Sequence, residues 1–434
     1  MGPASAGQRL LWSFERGRAE SGVLNVPIIA RLRSRMNKSA LEKAIGTLVL
    51  RHESLRTRMH WRPPRLMRAI APSHEPELRM VDLSAASDPK GIFEQQLKAE
   101  LNASIVSTEW PLRVTVWTLA ADDHVVCVNV NHMATDSSSN EIILQELAIL
   151  YNAECAGAPE QLPAIRWQYS QWVDWHRSQT EGRNRQRHLS YWEQKLEGAV
   201  GPRLSSAGAS DDSDGTTGFE SEALSADLIQ QMIELALRER ATLFSVFLAV
   251  FYSAICRQTG QTDLTVTTLL SERNRPELVS TVGYFVNAVP LRTAFDLTDS
   301  FIELVHGCRT TLFGAIQHQT MAFHLLPRSL TQKANIRLDN VAVQMIGDVA
   351  KFPEPFESLQ RMPDSESGTT FDLEVVLWSV AGSWWVNVVF GKHRFAKSAV
   401  RELLSNFCAV AESAMAAPNS TIKELISKAK PCRG

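Results

Sequence analysis

Apolar and polar residues follow two different periods along the first half of the chain, which predicts strands and helices in alternation. Residues 25–33, 112–120 and 124–130 are rich in β-branched and aliphatic side chains, as is typical of strands. Residues 39–51 instead place apolar side chains at helical spacing. Ser138 and Glu141 have the spacing of a capping box, so they predict the start of the next helix.

The second half repeats this mixed pattern. Residues 242–257 are apolar on nearly every side of a helix, so this helix is predicted to be buried. Further strands are predicted at residues 264–270, 341–346, 371–378 and 384–390, followed by a helix at 399–414. A tryptophan-rich helical stretch, residues 168–196, and a loop of turn-forming residues, 203–218, separate the two halves.

The length of 434 residues predicts two domains, because a single hydrophobic core rarely grows to this size. The two halves are of similar size, and both are of the α/β type. We therefore expect a first domain at residues 1–175 and a second at residues 176–434, in which residues 176–220 form a linker region.

Composition narrows the classes of function. A net charge of −2 argues against nucleic acid or an anionic membrane surface as the main partner, because both require a basic face. The N-terminus lacks the apolar segment of a signal peptide, and no segment approaches the roughly 20 apolar residues of a membrane span. Six scattered cysteines without metal-ligand spacing fit a reduced cytoplasmic protein with no bound metal.

The chemistry is predicted to lie in residues 131–137, which read Asn-His-Met-Ala-Thr-Asp-Ser between a strand and a helix. His132 on such a loop is placed to reach a cleft, and Asp136 can anchor the turn and fix the imidazole. Taken alone, this spacing is a weak signal, because a His followed four residues later by an Asp arises often by chance.

Seven short blocks give this motif its context. They are residues 5–12 (SAGQRLLW), 51–57 (RHESLRT), 131–137 (NHMATDS), 168–192 (with Gln168-Tyr169 and Tyr191-Trp192), 273–287 (RNRPE, then VGYFVN), 318–323 (HQTMAF) and 371–373 (FDL). In this order they resemble the motifs of the condensation domains of nonribosomal peptide synthetases. The resemblance covers nearly the whole chain.

The resemblance implies two lobes of the chloramphenicol-acetyltransferase type in a V-shaped α/β pseudo-dimer, with the active site in a tunnel at their junction. His132 matches the catalytic histidine of the motif, and Asp136 matches its structural, orienting aspartate. Arg273 matches the arginine that pairs with this aspartate from the second lobe. Asn287 falls in the same block as a supporting residue.

Two residues depart from the motif. Asn131 stands where the motif has its first histidine, and it keeps a donor and an acceptor of similar reach. Ser137 stands where the motif has glycine, whose missing side chain lets the backbone approach the reacting thioester closely.

The resemblance implies an acyltransferase that takes an acyl chain from the phosphopantetheine thioester of a carrier protein acting in trans. The acceptor is an amine or a hydroxyl, and the product is an amide or an ester, including at chain release. No bound cofactor is expected beyond the carrier's phosphopantetheine arm. The chain has no D-F-G-W-G segment like that of the plant acyltransferases that use acyl-CoA, which favours a carrier-bound donor.

Two alternatives remain open at this point. One is a polyketide-associated acyltransferase that esterifies a lipid alcohol. The other is a degenerate, non-catalytic condensation-like domain that recruits a partner enzyme. Arg9, Arg16 and Arg18 are candidates for docking an acidic carrier, although scattered surface charge explains them equally well.

Overall fold

The computed structural model describes residues 1–17, 22–73, 76, 78–204, 209, 217–321, 325–326, 340–347, 354–358, 371–380 and 382–429. Contacts between residues divide the chain into two compact units. Unit 1 comprises Met1–Gln179, Ser271–Val286 and Val349–Arg361, and unit 2 comprises Thr180–Leu270, Asn287–Asp348 and Met362–Gly434. The lobe boundary at residues 175 and 176 and the arrangement of the lobes stay predictions.

The helices of the described residues are numbered in chain order. They are α1 Ala6–Gly17, α2 Lys38–Arg51, α3 Pro89–Asn102, α4 Ser137–Ala156, α5 Tyr169–Gln179, α6 Gly182–Leu196, α7 Ala226–Arg238, α8 Leu243–Thr259, α9 Phe301–His318, α10 Lys397–Ala416 and α11 Ile422–Lys428.

The strands are numbered in the same way. They are β1 Gly2–Pro3, β2 Asn25–Leu32, β3 Thr57–Arg62, β4 Arg65–Ile70, β5 Leu78–Asp82, β6 Leu112–Ala120, β7 Asp123–Asn131, β8 Thr217–Leu224, β9 Asp263–Ser271, β10 Val286–Ala294, β11 Val341–Ile346, β12 Phe356–Ser358, β13 Leu373–Val380 and β14 Ser383–Gly391.

The larger sheet of unit 1 places the end of β7 beside α4. Five strands pair in the order β12-β2-β7-β6-β5, and β2 runs antiparallel to β7 with Asn25 opposite Asn131. α2 and α4 pack on this sheet through buried aliphatic side chains such as Leu41, Leu48 and Leu147. A smaller sheet has the order β1-β4-β3.

The apolar side chains of β2 fix its register in this sheet. Ile28, Ala30 and Leu32 occupy alternate positions and belong to the core that α2 and α4 cover. A slip by one residue would turn all three to the opposite face of the sheet. The register that sets Asn25 opposite Asn131 is therefore specified by burial.

Unit 2 is built on a mixed sheet in the order β10-β9-β11-β13-β14-β8. β11 runs parallel to β13, and β13 runs antiparallel to β14. The predicted buried helix is confirmed as α8, in which every residue from Ser245 to Cys256 is buried. Among the described residues no single helix is long and apolar enough to cross a membrane. α7 and α8 meet that test only as a pair bent by 111°, and α8 is buried in the core of unit 2.

The predicted strands and helices are confirmed within a few residues, with two corrections. The capping box at Ser138 and Glu141 is wrong, because α4 begins at Ser137 and Asp136 caps it. The helical stretch predicted at residues 168–196 is two helices, since the chain turns before Gly182, whose φ is 57°. Of the predicted loop at 203–218, residues 205–208 and 210–216 lie outside the described part of the chain, as do Arg18 and Phe323.

Candidate active site

The candidate site lies where β7 ends and α4 begins, within unit 1. A short 3₁₀ turn, His132–Ala134, connects the strand to Thr135 and then to the capping residue of α4. β7 is buried along nearly its whole length, so the turn starts inside the unit. The chain leaves the strand there because Asn131 caps the turn with its own side chain, which accepts a hydrogen bond from the Met133 N–H at 2.9 Å.

The imidazole of His132 is held by one hydrogen bond to the backbone. Its Nδ1 lies 2.9 Å from the carbonyl oxygen of Thr135. Because a carbonyl only accepts, Nδ1 carries the proton, and in the neutral ring Nε2 is the unprotonated nitrogen. No residue in the described part of the chain forms a hydrogen bond to Nε2. The ring also meets Tyr284 edge to face, with the ring centroids 5.0 Å apart.

The surroundings favour the neutral form of this ring. Burial lowers the pKa of His132 below its ordinary value of 6.5, and this outweighs the opposite effects of the hydrogen bond to Thr135 and of the charge on Asp136. At neutral pH His132 therefore offers an unprotonated Nε2 with no partner among the described residues. This is the arrangement that a general base requires.

Asp136 uses both carboxylate oxygens to hold the backbone. Its Oδ1 accepts from the Ser139 N–H at 2.7 Å, which caps α4, and its Oδ2 accepts from the Phe285 N–H at 3.0 Å. The residue is only 2% exposed. No hydrogen bond joins Asp136 to His132 in this part of the structure. Apart from the effect of its charge on the pKa of His132, the carboxylate therefore acts on the imidazole through the turn between them, which includes the Thr135 carbonyl.

Arg273 completes the surroundings of Asp136. Its Nη2 lies 3.1 Å from Asp136 Oδ1, and its Nη1 donates to the carbonyls of Leu278 and Thr281. The guanidinium carbon stands 4.1 Å from the centroid of the Phe285 ring. Asp136 and Arg273 lie in the same compact unit, because Ser271–Val286 groups with residues 1–179, whereas the family resemblance implies an arginine from the second lobe.

Ser139 is a residue of this site that sequence reasoning misses. Its hydroxyl donates to the Gly283 carbonyl at 2.8 Å and accepts from the Gly283 N–H at 3.0 Å. Arg273 Nη2 also lies 2.6 Å from the same hydroxyl. A side chain at position 283 would meet the ring of Tyr169 at 2.1 Å, so this contact requires glycine. A serine among three consecutive serines carries no sequence signal for such a contact.

Asn131 is fully buried, and each polar atom of its side chain has a partner. In addition to accepting from Met133, it donates through Nδ2 to the Ile105 carbonyl at 2.6 Å and to Glu15 Oε1 at 3.0 Å. Glu15, a second residue that sequence reasoning misses, also accepts from the N–H and the hydroxyl of Ser107. The separation of 116 residues between Glu15 and Asn131 explains why sequence spacing does not reveal this pair.

The two remaining predicted site residues lie apart from these networks. Ser137 is the exposed first residue of α4, and its side chain takes no part in the hydrogen bonds described for Asp136. Asn287 belongs to unit 2, where its buried side-chain amide donates to the Gln319 carbonyl. No group of three or more His, Cys, Asp or Glu side chains suited to a metal ion occurs among the described residues. The roles predicted for all six site residues stay predictions.

Comparison with known proteins assigns the family. The family model "Condensation domain" matches residues 1–430. One subunit of linear gramicidin synthase from Brevibacillus parabrevis is 28% identical over 435 residues, which are 97% of this chain and 8% of that protein. Cyclosporin synthetase from Tolypocladium inflatum is 28% identical over 433 residues, which are 97% of this chain and 3% of the synthetase. This chain therefore spans less than a tenth of either relative.

Solved structures share the fold. The first condensation domain of the calcium-dependent antibiotic synthetase, solved with a substrate analogue, superposes with a TM-score of 0.79 at 19% identity, covering 98% of each chain. SgcC5 from Streptomyces globisporus superposes with a TM-score of 0.75 at 23% identity, covering 96% of this chain and all of that one. These likenesses confirm the predicted chloramphenicol-acetyltransferase-like α/β fold. The chain belongs to the condensation-domain family of nonribosomal peptide synthetases.

Proposed function

We propose that this chain transfers an acyl group from the phosphopantetheine thioester of a carrier protein to an amine or a hydroxyl, with His132 as the general base. The observation that carries the proposal is the state of the imidazole. Its Nδ1 is committed to the Thr135 carbonyl, which leaves an unprotonated Nε2 without a partner among the described residues. Membership of the condensation-domain family supports the thioester donor.

One histidine can carry the proton through both steps of the transfer. The acceptor oxygen or nitrogen attacks the thioester carbonyl while its proton passes to His132 Nε2, which forms an imidazolium and a tetrahedral intermediate. The C–S bond then breaks, and the departing sulfur takes the proton back from Nε2. The products are an ester or an amide and the free thiol of the phosphopantetheine arm, and the enzyme returns to its starting state.

The acceptor decides how much His132 contributes. An α-amino group, with a pKa of about 8, is already partly neutral at pH 7. A hydroxyl is much harder to deprotonate, with a pKa near that of water, about 15.7. We therefore propose that proton transfer to His132 is essential for an alcohol acceptor, whereas an amine acceptor depends on this transfer less and also relies on His132 for its orientation.

Asp136 supports the base without exchanging protons in this proposal. Both of its oxygens are occupied by the Ser139 N–H, the Phe285 N–H and Arg273. A carboxylate so fully engaged stabilises the start of α4 and holds the turn that carries the imidazole.

The experiment supplies a separate acyl-loaded carrier protein with a panel of amines and alcohols. Because SgcC5 was solved in complex with a substituted 1,2-ethanediol, the panel includes 1,2-diols beside simple alcohols and amino acid derivatives. The readouts are the mass of the acylated acceptor and the loss of acyl mass from the carrier. The wild-type chain is compared with His132→Ala and with a control at an exposed histidine, His393→Ala.

Each outcome separates one hypothesis from the others. Acylation that needs His132 and not His393 supports the proposal, and the preferred acceptor decides between amide and ester formation. Preference for a lipid alcohol would favour the polyketide-associated acyltransferase. A carrier that binds the folded chain but never loses its acyl group to any acceptor would overturn the proposal in favour of a recruitment domain.

A further inference from the structure

Helix α1 contacts the turn that carries His132 at two points. Gln8 and Glu15 are seven residues apart, which is about two helical turns, so they lie on the same face of α1. Gln8 Nε2 donates to the Met133 carbonyl at 3.0 Å. Glu15 accepts a hydrogen bond from the side-chain amide nitrogen of Asn131. The amide oxygen of Asn131 in turn accepts from the Met133 N–H. Both backbone groups of Met133 are thus tied, directly or through Asn131, to α1.

The groups around Asn131 match the hydrogen-bonding capacity of an amide. The site presents two acceptors to this side chain, the Ile105 carbonyl and the Glu15 carboxylate, and one donor, the Met133 N–H. A side-chain amide supplies two N–H donors on one atom and an acceptor on the other, so it satisfies all three groups. The partners also fix which end of the amide is oxygen, because neither acceptor could face it.

Histidine cannot meet this demand. A neutral imidazole has one donor and one acceptor, and an imidazolium has two donors and no acceptor. In either state at least one of these three hydrogen bonds is lost inside the unit: a neutral ring that serves the Ile105 carbonyl and the Met133 N–H leaves the buried Glu15 carboxylate with Ser107 alone. Any other choice leaves a buried backbone group unsatisfied, which is costly. The motif of the family has histidine at this position, and this chain has Asn131.

Glu15 needs Asn131 in turn. It is 7% exposed, and no described Lys, Arg or His nitrogen lies within ion-pair distance of its carboxylate. The carboxylate is instead satisfied by hydrogen bonds from the Ser107 N–H at 2.9 Å, the Ser107 hydroxyl at 2.5 Å and Asn131 at 3.0 Å. A buried carboxylate without a cation is tolerated when donors of this kind surround it.

We infer that Glu15 is a positioning residue for His132 and acts through the amide of Asn131, so that restoring the family's histidine at position 131 impairs this chain. The inference rests on the proposed function for its kinetic part. It assigns Glu15 no contact with the substrate. In this proposal Asn131 and Glu15 are a matched pair, in which the amide donates to the carboxylate.

The test compares Asn131→His, Asn131→Ala, Glu15→Ala and Glu15→Gln with the wild-type chain, and Glu160→Ala at an exposed glutamate is the control. The first readout needs no substrate: the NMR signals of the His132 ring, assigned by their loss in His132→Gln. The second readout is kcat and KM for acyl transfer per folded molecule, beside the melting temperature.

We expect Asn131→His, Asn131→Ala and Glu15→Ala to shift or broaden the His132 ring signals and to lower kcat by about 10- to 100-fold, within the range that a misplaced acid–base group costs. KM should change little. Glu15→Gln should resemble the wild type, because its carbonyl oxygen can accept from Asn131 and Ser107 while its amide donates to the Ser107 hydroxyl.

Three results would overturn the inference. One is Asn131→His with wild-type ring signals and kcat. Another is Glu15→Ala with a lower melting temperature alone, which would indicate a purely structural role. The third is Glu15→Gln that is as impaired as Glu15→Ala. If Glu15→Ala does not fold, Asn131→His and Glu15→Gln still decide, and a wild-type chain without acyl transfer would refute the proposed function while the NMR comparison remains valid.

Discussion

The imidazole of His132 and the carboxylate of Asp136 are four residues apart and have different surroundings. The imidazole of His132 makes one hydrogen bond and keeps Nε2 without a partner among the described residues, whereas the carboxylate of Asp136 has both oxygens engaged. A group that gains and loses a proton during catalysis needs an atom free of hydrogen bonds within the protein. A group that only stabilises the fold can have all of its atoms hydrogen-bonded. These surroundings fit base chemistry at His132 and an anchoring role for Asp136.

Replacing His132 removes the proposed base and leaves the hydrogen bonds of Asp136 in place. We expect His132→Ala to keep the melting temperature near that of the wild type and to lower kcat for an alcohol acceptor by about 10²- to 10⁴-fold, the usual contribution of a positioned acid–base group. Steady-state kinetics with acyl carrier measure this loss. Undiminished turnover by the folded variant would remove His132 from the mechanism.

The pH dependence of turnover follows from the lowered pKa of His132. Only the neutral imidazole can accept a proton, so kcat/KM should fall on the acid side as this ring becomes protonated. Because burial lowers its pKa from the ordinary value of 6.5, we expect the midpoint of the acid limb to lie below pH 6.5. The measurement is kcat/KM for an alcohol acceptor from about pH 5 to 9, where the acceptor itself does not titrate. A midpoint above the ordinary value would contradict this account.

Removing Asp136 leaves Arg273 without its carboxylate and α4 without its cap. The side chain of Asp136 is 3% exposed and that of Arg273 is 13% exposed. We therefore expect Asp136→Ala to lower the free energy of unfolding by about 3–5 kcal/mol, as is usual when one partner of a buried pair is lost. Chemical denaturation measures the change. The control is Glu357→Ala, which breaks the exposed pair with Arg33 and should cost only about 0–1 kcal/mol. Equal effects of the two substitutions would contradict the prediction.

Helices α6 and α9 of unit 2 meet through two histidines. The Nδ1 atoms of His188 and His318 are 3.2 Å apart, and Tyr191 stacks on His318 with the ring centroids 3.9 Å apart. One Nδ1 must donate and the other must accept, so the contact needs at least one neutral ring. Burial and the neighbouring charges of His188 and Arg187 lower the pKa of His318 to about 4, and burial also lowers the pKa of His188.

This pair predicts a loss of stability in acid. A histidine whose pKa is lowered by folding binds its proton first in the unfolded state, so stability falls as the pH drops from 6.5 towards about 4. We expect His318→Gln to be less sensitive to pH than the wild type across this window. Melting temperatures measured at several pH values between these limits give the comparison with an exposed control, His393→Gln. Parallel curves for the wild type and His318→Gln would contradict the prediction.

The elements themselves follow closely from the sequence, and the contacts between distant elements do not. The strand predicted at residues 112–120 has the same bounds as β6, because a short run rich in β-branched side chains is a local signal. The start of α4 is harder to predict, since Asp136 and Ser138 are both good caps, and only the structure shows that Asp136 caps the helix by accepting from the Ser139 N–H. Arg273 is found through the family resemblance, whereas Glu15 and Ser139 have neither a spacing nor a family motif to reveal them.

Positive and negative charges nearly cancel over the chain, so only their local distribution can guide a partner. The chain has 45 basic and 47 acidic residues. Of the candidates for carrier docking, Arg9 donates to the Ala4 carbonyl, while the exposed Arg16 lies over Trp12 with its guanidinium 5.0 Å from the ring. Trp12 stacks on Trp61, which is 49% exposed.

We expect turnover with acyl carrier to fall as salt rises, because docking between a basic patch and an acidic carrier is screened. Arg16→Ala should raise KM for the carrier by about 2- to 5-fold at low salt, the value of one exposed charge contact. The comparison is a small acyl-thioester mimic, and the control is Arg401→Ala, whose arginine pairs with Glu220 in unit 2. If the mimic and the carrier respond equally to salt and to Arg16→Ala, electrostatic docking contributes nothing.

The return of Ser271–Val286 to unit 1 has a consequence for engineering. A chimera of two condensation domains joined within residues 176–220 would take Asp136 and Ser139 from one parent and Arg273 and Gly283 from the other. Sequence exchange at that junction therefore grafts a foreign segment into the unit that contains the candidate active site. A chimera that also takes residues 271–286 from the first parent should preserve these contacts. The useful crossover points are therefore the borders of the compact units and not a single position along the chain.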